Sequence, residues 1–491
     1  MLRNECLDNR LSMKESVLKF YHRMPPFARD WAASARGLQL RRWRYGPETQ
    51  QLVEEALERE NWTSQQWANW RENRLLEILH HAVTSVPYYR EFWAGQKRKG
   101  DGQAWEHLAN WPILKKETVR ANPRAFLADG CDPRRMFCDQ TSGTSGTPLR
   151  VWFNRNAVRA WYALFEARLR NWNGVSRHDR WAILGGQQVV ASHTQRPPFW
   201  VHNWPMHQLY LSANHVSKAS AGAYWHALEE FRPTHIVAYP SSAAALAREF
   251  LESGLKCSSP KVFLANAEPL LPWQKELIGR TLAPVVRESY GMAEAVVGAS
   301  ECAHGHLHFW PETGHIEVVG DATDDPAPAG TVGRLVSTGL LNKDMPLVRY
   351  LVGDRCSAPL WNEQCPCGRN LPILPGIEGR TNDLLVTKDG RKVFWINPVF
   401  YGLPLAEAQV IQETLDEIRV CVVPSEGFSA GTEATIRARL CDRLGLVNVS
   451  VTKVHSISRG PNGKFRAVIS KVGRADAAQK KQVENGAVIN S

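Results

Sequence analysis

The segment Thr141-Ser142-Gly143-Thr144-Ser145-Gly146-Thr147-Pro148 places four hydroxyl side chains among its first five residues and closes on a proline. Glycines let backbone N–H groups come close to phosphate oxygens, and hydroxyls add further donors. The Gly-Lys-Ser/Thr ending of a Walker loop is absent. Ser145 lacks the full pair of flanking glycines of a nucleophile elbow, since Thr147 stands at the second place. Taken alone, the segment fits a phosphate cradle or a plain Ser/Gly turn equally well. A second constellation is built from soft ligands. Cys302 is followed by His304, His306 and His308, and Cys365-Pro366-Cys367 comes later, with Cys356 as a spare thiol. Thiolates and an imidazole in a closed set of four suit structural zinc rather than a catalytic metal, which keeps an open position.

Positioning such groups takes a sizeable scaffold. The chain has 491 residues, long enough for two to four domains. With 43% hydrophobic and 22% charged residues it has the composition of a folded protein. Its net charge of +11 favours an anionic partner such as a nucleotide or coenzyme A. The ten cysteines are scattered, unlike a secreted disulfide framework. No signal peptide or long apolar span is read, so a cytoplasmic enzyme without a transmembrane segment is expected.

Residues 1–120 read as helical, with Leu75, Ile78, Leu79 and Val83 at helical spacing until Val86-Pro87-Tyr88-Tyr89 interrupts. Residues 121–378 alternate apolar runs (182–184, 236–238, 262–264) with helical stretches (219–231, 241–253, 270–282), which predicts an α/β core. Residues 379–473 predict a small α+β domain, with strands at 418–423 and 447–454 and a helix at 432–444. Residues 474–491 read as a polar tail.

Several short segments follow the loop in a fixed order: Tyr290-Gly291-Met292-Ala293-Glu294, Met345-Pro346-Leu347-Val348-Arg349-Tyr350, Gly353-Asp354, Gly379-Arg380-Thr381-Asn382-Asp383 and Pro461-Asn462-Gly463-Lys464-Phe465-Arg466. This order resembles the adenylate-forming superfamily. Trp111-Pro112-Ile113-Leu114-Lys115-Lys116, the segment around Val86-Pro87-Tyr88-Tyr89, and Tyr239-Pro240-Ser241 look like its phenylacetate–coenzyme A ligase branch, which has relatives associated with capsular polysaccharide. The resemblance spans about residues 70 to 470.

It implies an adenylate-forming fold: a large α/β core with a helical N-terminal region, a zinc-binding insertion near 302–367 and a small mobile C-terminal domain. It also implies that ATP activates a small carboxylic acid to an acyl-adenylate, with coenzyme A as the next acceptor. Thr141, Ser142, Gly143, Thr144, Ser145, Gly146 and Thr147 would cradle phosphates. Glu294 would hold magnesium, a hard cation suited to carboxylate oxygen. Tyr290, with Gly291, would stack on adenine, and Glu268 would sit near the adenine or acyl pocket. Asp354 would accept from ribose hydroxyls, and Arg380 would contact ribose or phosphate. Lys464 would be the adenylation lysine, a compact charge on a long stem at a loop tip. The zinc set would be Cys302, His308, Cys365 and Cys367, with His304 or His306 as replacements for His308. A homodimer is a further expectation of the branch.

Three positions depart from the superfamily pattern. Leu149 stands where lysine commonly follows the loop, Ala293 where a threonine touches the α-phosphate, and Asn382 where a hinge carboxylate is usual, with Asp383 adjacent. Two other functions are carried forward. One keeps adenylation but makes an amide or ester on a sugar, amino acid or carrier. The other is a non-enzymatic protein binding anions or membranes through a basic, aromatic face that includes Lys19, Phe20, Arg23, Phe27, Arg41, Arg42 and Trp43. No nucleic-acid module signature is present, so no nucleic-acid partner is expected.

Overall fold

Strands buried on both faces by helices are near-continuous apolar runs, and the middle of the chain builds its main sheet from such runs. The computed structural model describes residues 17–18, 20–100, 102–140, 149–185, 187–191, 194–321, 323–328, 330–380, 385–388, 392–393, 397–400, 403–458 and 465–472. The chain divides into two compact units. The first takes the chain to Val318, with Val336–Leu351 and Ala358–Pro375. The second takes Val319–Leu335, Val352–Ser357 and the segment from Gly376 onward.

In the first unit, helices α1 (Pro26–Arg44), α2 (Thr49–Glu58), α3 (Ser64–Ser85), α4 (Pro87–Arg98) and α5 (Lys116–Ala121) come first. Thr63 and Gln66 form a capping box that starts α3. Pro87 then occupies the first turn of α4, where its missing N–H costs nothing. The interruption read at Val86-Pro87 is thus a boundary between two helices.

A hairpin of β1 (Phe137–Gln140) and β2 (Arg150–Phe153) follows, with Gln140 opposite Arg150. After α6 (Arg155–Phe165) a π-helical turn, Glu166–Arg170, is buried throughout.

The main sheet has six strands: β3 (Trp181–Gly185), β4 (Trp200–Asn203), β5 (Gln208–Ser212), β6 (His235–Ala238), β7 (Val262–Ala265) and β8 (Val285–Arg287). Their spatial order is β4-β5-β3-β6-β7-β8, parallel throughout except for the edge strand β4. Helices α7 (Lys218–Phe231), α8 (Pro240–Glu252) and α9 (Pro272–Thr281) supply the crossovers. Leu184, Leu209, Tyr224, Ile236, Leu246, Phe250 and Phe263 pack in one core. The three apolar runs and three helical stretches read from the sequence thus correspond to β3, β6, β7 and α7, α8, α9.

Beyond this sheet, β9 (Ser289–Gly291), β10 (Gly298–Glu301) and β11 (Leu307–Phe309) form an antiparallel three-stranded sheet. Then β12 (Gly314–Val319), β13 (Gly333–Gly339), β14 (Tyr350–Cys356) and β15 (Ile377–Arg380) form a four-stranded sheet.

In the second unit, β16 (Leu385–Val386) pairs with β17 (Lys392–Val393). A sheet in the order β20-β19-β18-β21 combines β18 (Leu405–Gln412), β19 (Glu417–Pro424), β20 (Asn448–Lys453) and β21 (Val468–Ser470) with helix α10 (Ala430–Leu444). Val410, Val420, Val422, Ile436 and Leu440 are its core. A large α/β part and a small α+β part agree with the fold class expected from the sequence.

Candidate active site and metal centre

In an open parallel sheet, ligands bind beyond the C-terminal ends of the strands, where successive crossovers diverge. Three of the segments singled out in the sequence lie there. Tyr239-Pro240-Ser241 follows β6, Ala267-Glu268 follows β7, and Ser289-Tyr290-Gly291 follows β8. They are tied together. The Ser241 backbone N–H, in the first turn of α8, donates to Glu268 Oε2 at 3.0 Å. A carboxylate there satisfies an orphan donor and complements the helix dipole. Ser289 Oγ donates to the Ala265 carbonyl at 2.6 Å, holding β9 to the end of β7. Tyr290 is half-buried and paired in register with Ala299. A Cβ at Gly291 would come 3.2 Å from the Trp161 ring, which accounts for glycine there.

Glu294 is buried. Its Oε1 accepts from Lys116 Nζ at 3.0 Å and from the Tyr350 hydroxyl at 2.7 Å. The segment Trp111–Lys116 brings the lysine there by pairing with the start of β14. Leu114 N–H donates to the Arg349 carbonyl at 2.8 Å, and Leu351 N–H donates back to the Leu114 carbonyl at 2.9 Å. Arg349 reinforces the junction, with Nη1 donating to the Trp111 carbonyl at 2.6 Å and Nε to Glu317 at 3.1 Å. The Tyr89 hydroxyl, from the Val86–Tyr89 segment, donates to the Pro346 carbonyl at 3.0 Å and accepts from Val348 N–H at 3.1 Å. Segments remote in sequence are therefore hydrogen-bond partners of one another. Burial, and then the Glu294 charge, hold the Tyr350 phenol far above its usual range, so it remains a donor.

Backbone strain marks the same places. Ala267, Ala295 and Arg349 have positive φ angles of 64°, 53° and 48°, and each neighbours one of Glu268, Glu294 and Tyr350. Non-glycine residues in this region cost free energy, and such residues cluster at functional sites.

The loop Thr141–Pro148 lies outside the described residues, as do Thr381–Asp383 and Lys464. The flanks of the loop are the facing ends of the β1–β2 hairpin. Leu149, just after it, is fully buried, a place where an unpaired lysine ammonium would be costly. In the β14–β15 pair, Asp354 and Arg380 are direct cross-strand partners. Lys116 and Tyr350 lay within segments singled out in the sequence, but nothing local marked them as partners of Glu294.

The soft ligands also meet. Donor atoms of Cys302, His308, Cys365 and Cys367 all lie within 4.8 Å of one another. The Cys302 and Cys365 sulfurs are 3.7 Å apart, and Cys367 Sγ is 3.4 Å from His308 Nε2. A tetrahedral zinc with ~2.3 Å bonds to sulfur requires sulfur–sulfur edges of roughly 3.8 Å. His308 Nδ1 lies 3.0 Å from the Leu371 carbonyl, a bond that leaves Nε2 facing the thiols. Burial pushes the Cys365 thiol up to about 12. A bound divalent cation would deprotonate it. Of the alternatives weighed, His306 Nδ1 reaches Cys365 Sγ at 3.1 Å, His304 is exposed, and Cys356 lies on β14 outside the group.

Comparison with known proteins agrees with this geometry. Residues 385–471 match the family model described as the CapK C-terminal domain. Protein CapK of Staphylococcus aureus is 23% identical over 407 residues, covering 81% of this chain and 88% of its own. A phenylacetate-coenzyme A ligase of Thermus thermophilus is 28% identical over 391 residues, covering 73% and 81%. Among solved structures, 2-hydroxyisobutyryl-CoA ligase in the postadenylation state with R3-HIB-AMP superposes with a TM-score of 0.63 at 21% identity, covering 87% of this chain and 94% of that one. The chain is thus similar over most of its length to protein CapK and to phenylacetate-coenzyme A ligases, and it shares the fold of 2-hydroxyisobutyryl-CoA ligase.

Proposed function

We propose that this protein activates a small carboxylic acid with ATP and passes the acyl group to coenzyme A. The observation that carries the reading is the meeting of Glu268, Ser241 and the Ser289–Gly291 strand beyond the C-terminal ends of β6, β7 and β8, with the buried Glu294 following in the same segment. The Thermus relative named as a phenylacetate-coenzyme A ligase supports the acceptor. A carboxylate oxygen of the acid attacks the α-phosphorus of ATP, the bond to the bridging oxygen breaks, and pyrophosphate leaves. The thiol of coenzyme A then attacks the acyl carbon, releasing AMP and the thiol proton. Catalysis of this kind rests on positioning and on charge stabilisation along the phosphates.

Glu294 fits a magnesium role. Its Oε1 is taken by Lys116 and Tyr350, and its Oε2 carries no hydrogen bond among the described residues. Magnesium would there neutralise phosphate charge. Asp354 and Arg380 are assigned to ribose and phosphate, Tyr290 to adenine, Thr141–Thr147 to the phosphates and Lys464 to the adenylation step, all by resemblance. The set Cys302, His308, Cys365 and Cys367 fits a closed structural zinc in donor type and spacing.

Acid-dependent exchange of pyrophosphate into ATP tests the reading, run over a panel of acids. Lys464→Ala is expected to lower exchange by about 10²-fold or more, as loss of a preorganised charge does elsewhere. Unchanged exchange would remove Lys464 from the mechanism, and no exchange with any acid would remove the activity. A second reading keeps adenylation and transfers the acyl group to an amine or hydroxyl. Amide or ester product formed without coenzyme A would establish it.

A further inference from the structure

The active-site reading uses the C-terminal edge of the main sheet. The opposite edge carries a second concavity. A cavity of about 360 Å³ opens in the first unit, bounded by α1 and its following turn and by the N-terminal ends of β3 and β5. Trp181, the first residue of β3, and His207, immediately before β5, both line it. Strand β3 therefore separates it from the crevice beyond Gly185.

Four arginines line this cavity, Arg41, Arg42, Arg170 and Arg177, and no carboxylate lines it among the described residues. Glu166 stands behind two of them. It accepts from Arg170 Nη1 at 3.1 Å and from the Arg177 backbone N–H at 2.7 Å. Arg41 and Arg42 have no carboxylate partner among the described residues. Arg41 donates only to the Pro205 carbonyl, at 3.1 Å. Arg170 is itself buried, fixed by Glu166, by the Tyr45 hydroxyl at 3.2 Å and by His235 at 3.3 Å. Like charges gathered around a concave, partly desolvated wall repel one another, and a bound anion relieves that cost. The remaining wall mixes Leu38, Tyr45, Trp181 and Met206 with the polar Thr49, His178 and His207. The volume is that of a small-molecule site.

We propose that this cavity is a second binding site, taking a small organic phosphomonoester whose phosphate meets Arg41 and Arg42 and whose planar or apolar body lies against Tyr45 and Met206. Planar guanidinium groups match phosphate geometry and are the usual choice for it. Burial and the neighbouring Arg177 also hold His178 below its usual range, as a net-positive wall would. The site is independent of the adenylation reading.

Calorimetric titration of the full chain with phenyl phosphate tests it, with phenol as the uncharged control. Phenyl phosphate is expected to bind with a Kd below about 1 mM, and phenol not to bind. The double variant Arg41→Gln/Arg42→Gln should weaken binding at least ~10-fold, equal to about 1.4 kcal/mol. Arg41→Lys/Arg42→Lys, which keeps the charge and loses the planar fork, should weaken binding less than the Gln pair does. Both arginines are exposed, so the variants should fold, and thermal melts check this. Absence of binding, equal binding of phenol, or binding indifferent to the Gln variant would each overturn the proposal.

Discussion

The Tyr350 hydroxyl donates to the Glu294 carboxylate across 2.7 Å, inside a buried pocket that also receives Lys116. This bond joins two sequence segments and sets the orientation of the acid assigned to magnesium. Tyr350→Phe removes the donor while keeping the ring. A hydrogen bond to a charged group contributes about 1.5–3 kcal/mol, so urea denaturation should show a loss of that size. A loss near zero would mean that Lys116 alone holds Glu294.

Arg168 is fully buried and bidentate to Glu312, with both N–O distances 2.7 Å. It projects from the π-helical turn at Glu166–Arg170. Arg168→Met leaves Glu312 buried with Arg59 at 3.8 Å as its remaining cationic partner. Breaking a buried pair costs about 3–5 kcal/mol. The double variant Arg168→Met/Glu312→Leu should recover much of the loss, because the stranded Glu312 charge is gone and Glu60, 3.6 Å from Arg168, keeps Arg369 at 2.9 Å. Equal losses in the single and double variants would argue that packing, not charge, is responsible.

Burial, then the adjacent Arg170, lowers His235 from 6.5 to about 2. The folded protein thus keeps this imidazole neutral, while the unfolded chain takes up a proton below pH 6.5. The stability it contributes is complete above 6.5 and declines as pH falls from there toward the folded value of about 2. His315, lowered to about 4 by burial and Arg71, acts in the same direction. Unfolding free energy should therefore fall between pH 7 and 5, and His235→Gln should flatten that slope. An unchanged slope in the variant would assign the pH dependence to other groups.

Metal analysis of the purified chain should find zinc at close to one equivalent. Cys365→Ser should lose it, together with several kcal/mol of stability, since binding free energy to a structural site is folding free energy. Cys356→Ser should keep its metal, because that thiol lies outside the group. Zinc lost equally in both variants would contradict the assigned set.

Much of the main sheet was legible because a strand buried on both faces cannot alternate. The runs at 182–184, 236–238 and 262–264 had to be continuous, and the structure extends each by only a residue or two. The helices after them were legible from periodicity and from prolines in their first turns. The split of the second unit was not. Its pieces at Val319–Leu335 and Val352–Ser357 are interleaved in the chain with pieces of the first unit, and strand pairing leaves no local trace in composition. The small domain read as 379–473 overlaps the segment from Gly376 onward in that unit and the matched model at 385–471.

Residue types alone determined the donor chemistry of this protein: a hydroxyl-rich glycine loop, isolated acids at fixed points after it, and three thiols with nearby imidazoles. Those depend on side-chain identity and order along the chain. The tertiary structure decided which groups meet. It brought His308 within 4.8 Å of three thiols with its ring bonded to Leu371, and it brought Lys116 and Tyr350 to one oxygen of Glu294 across 178 and 56 residues. Such pairings follow from where crossovers and strand registers return the chain. Periodicity within any one segment carries no record of them.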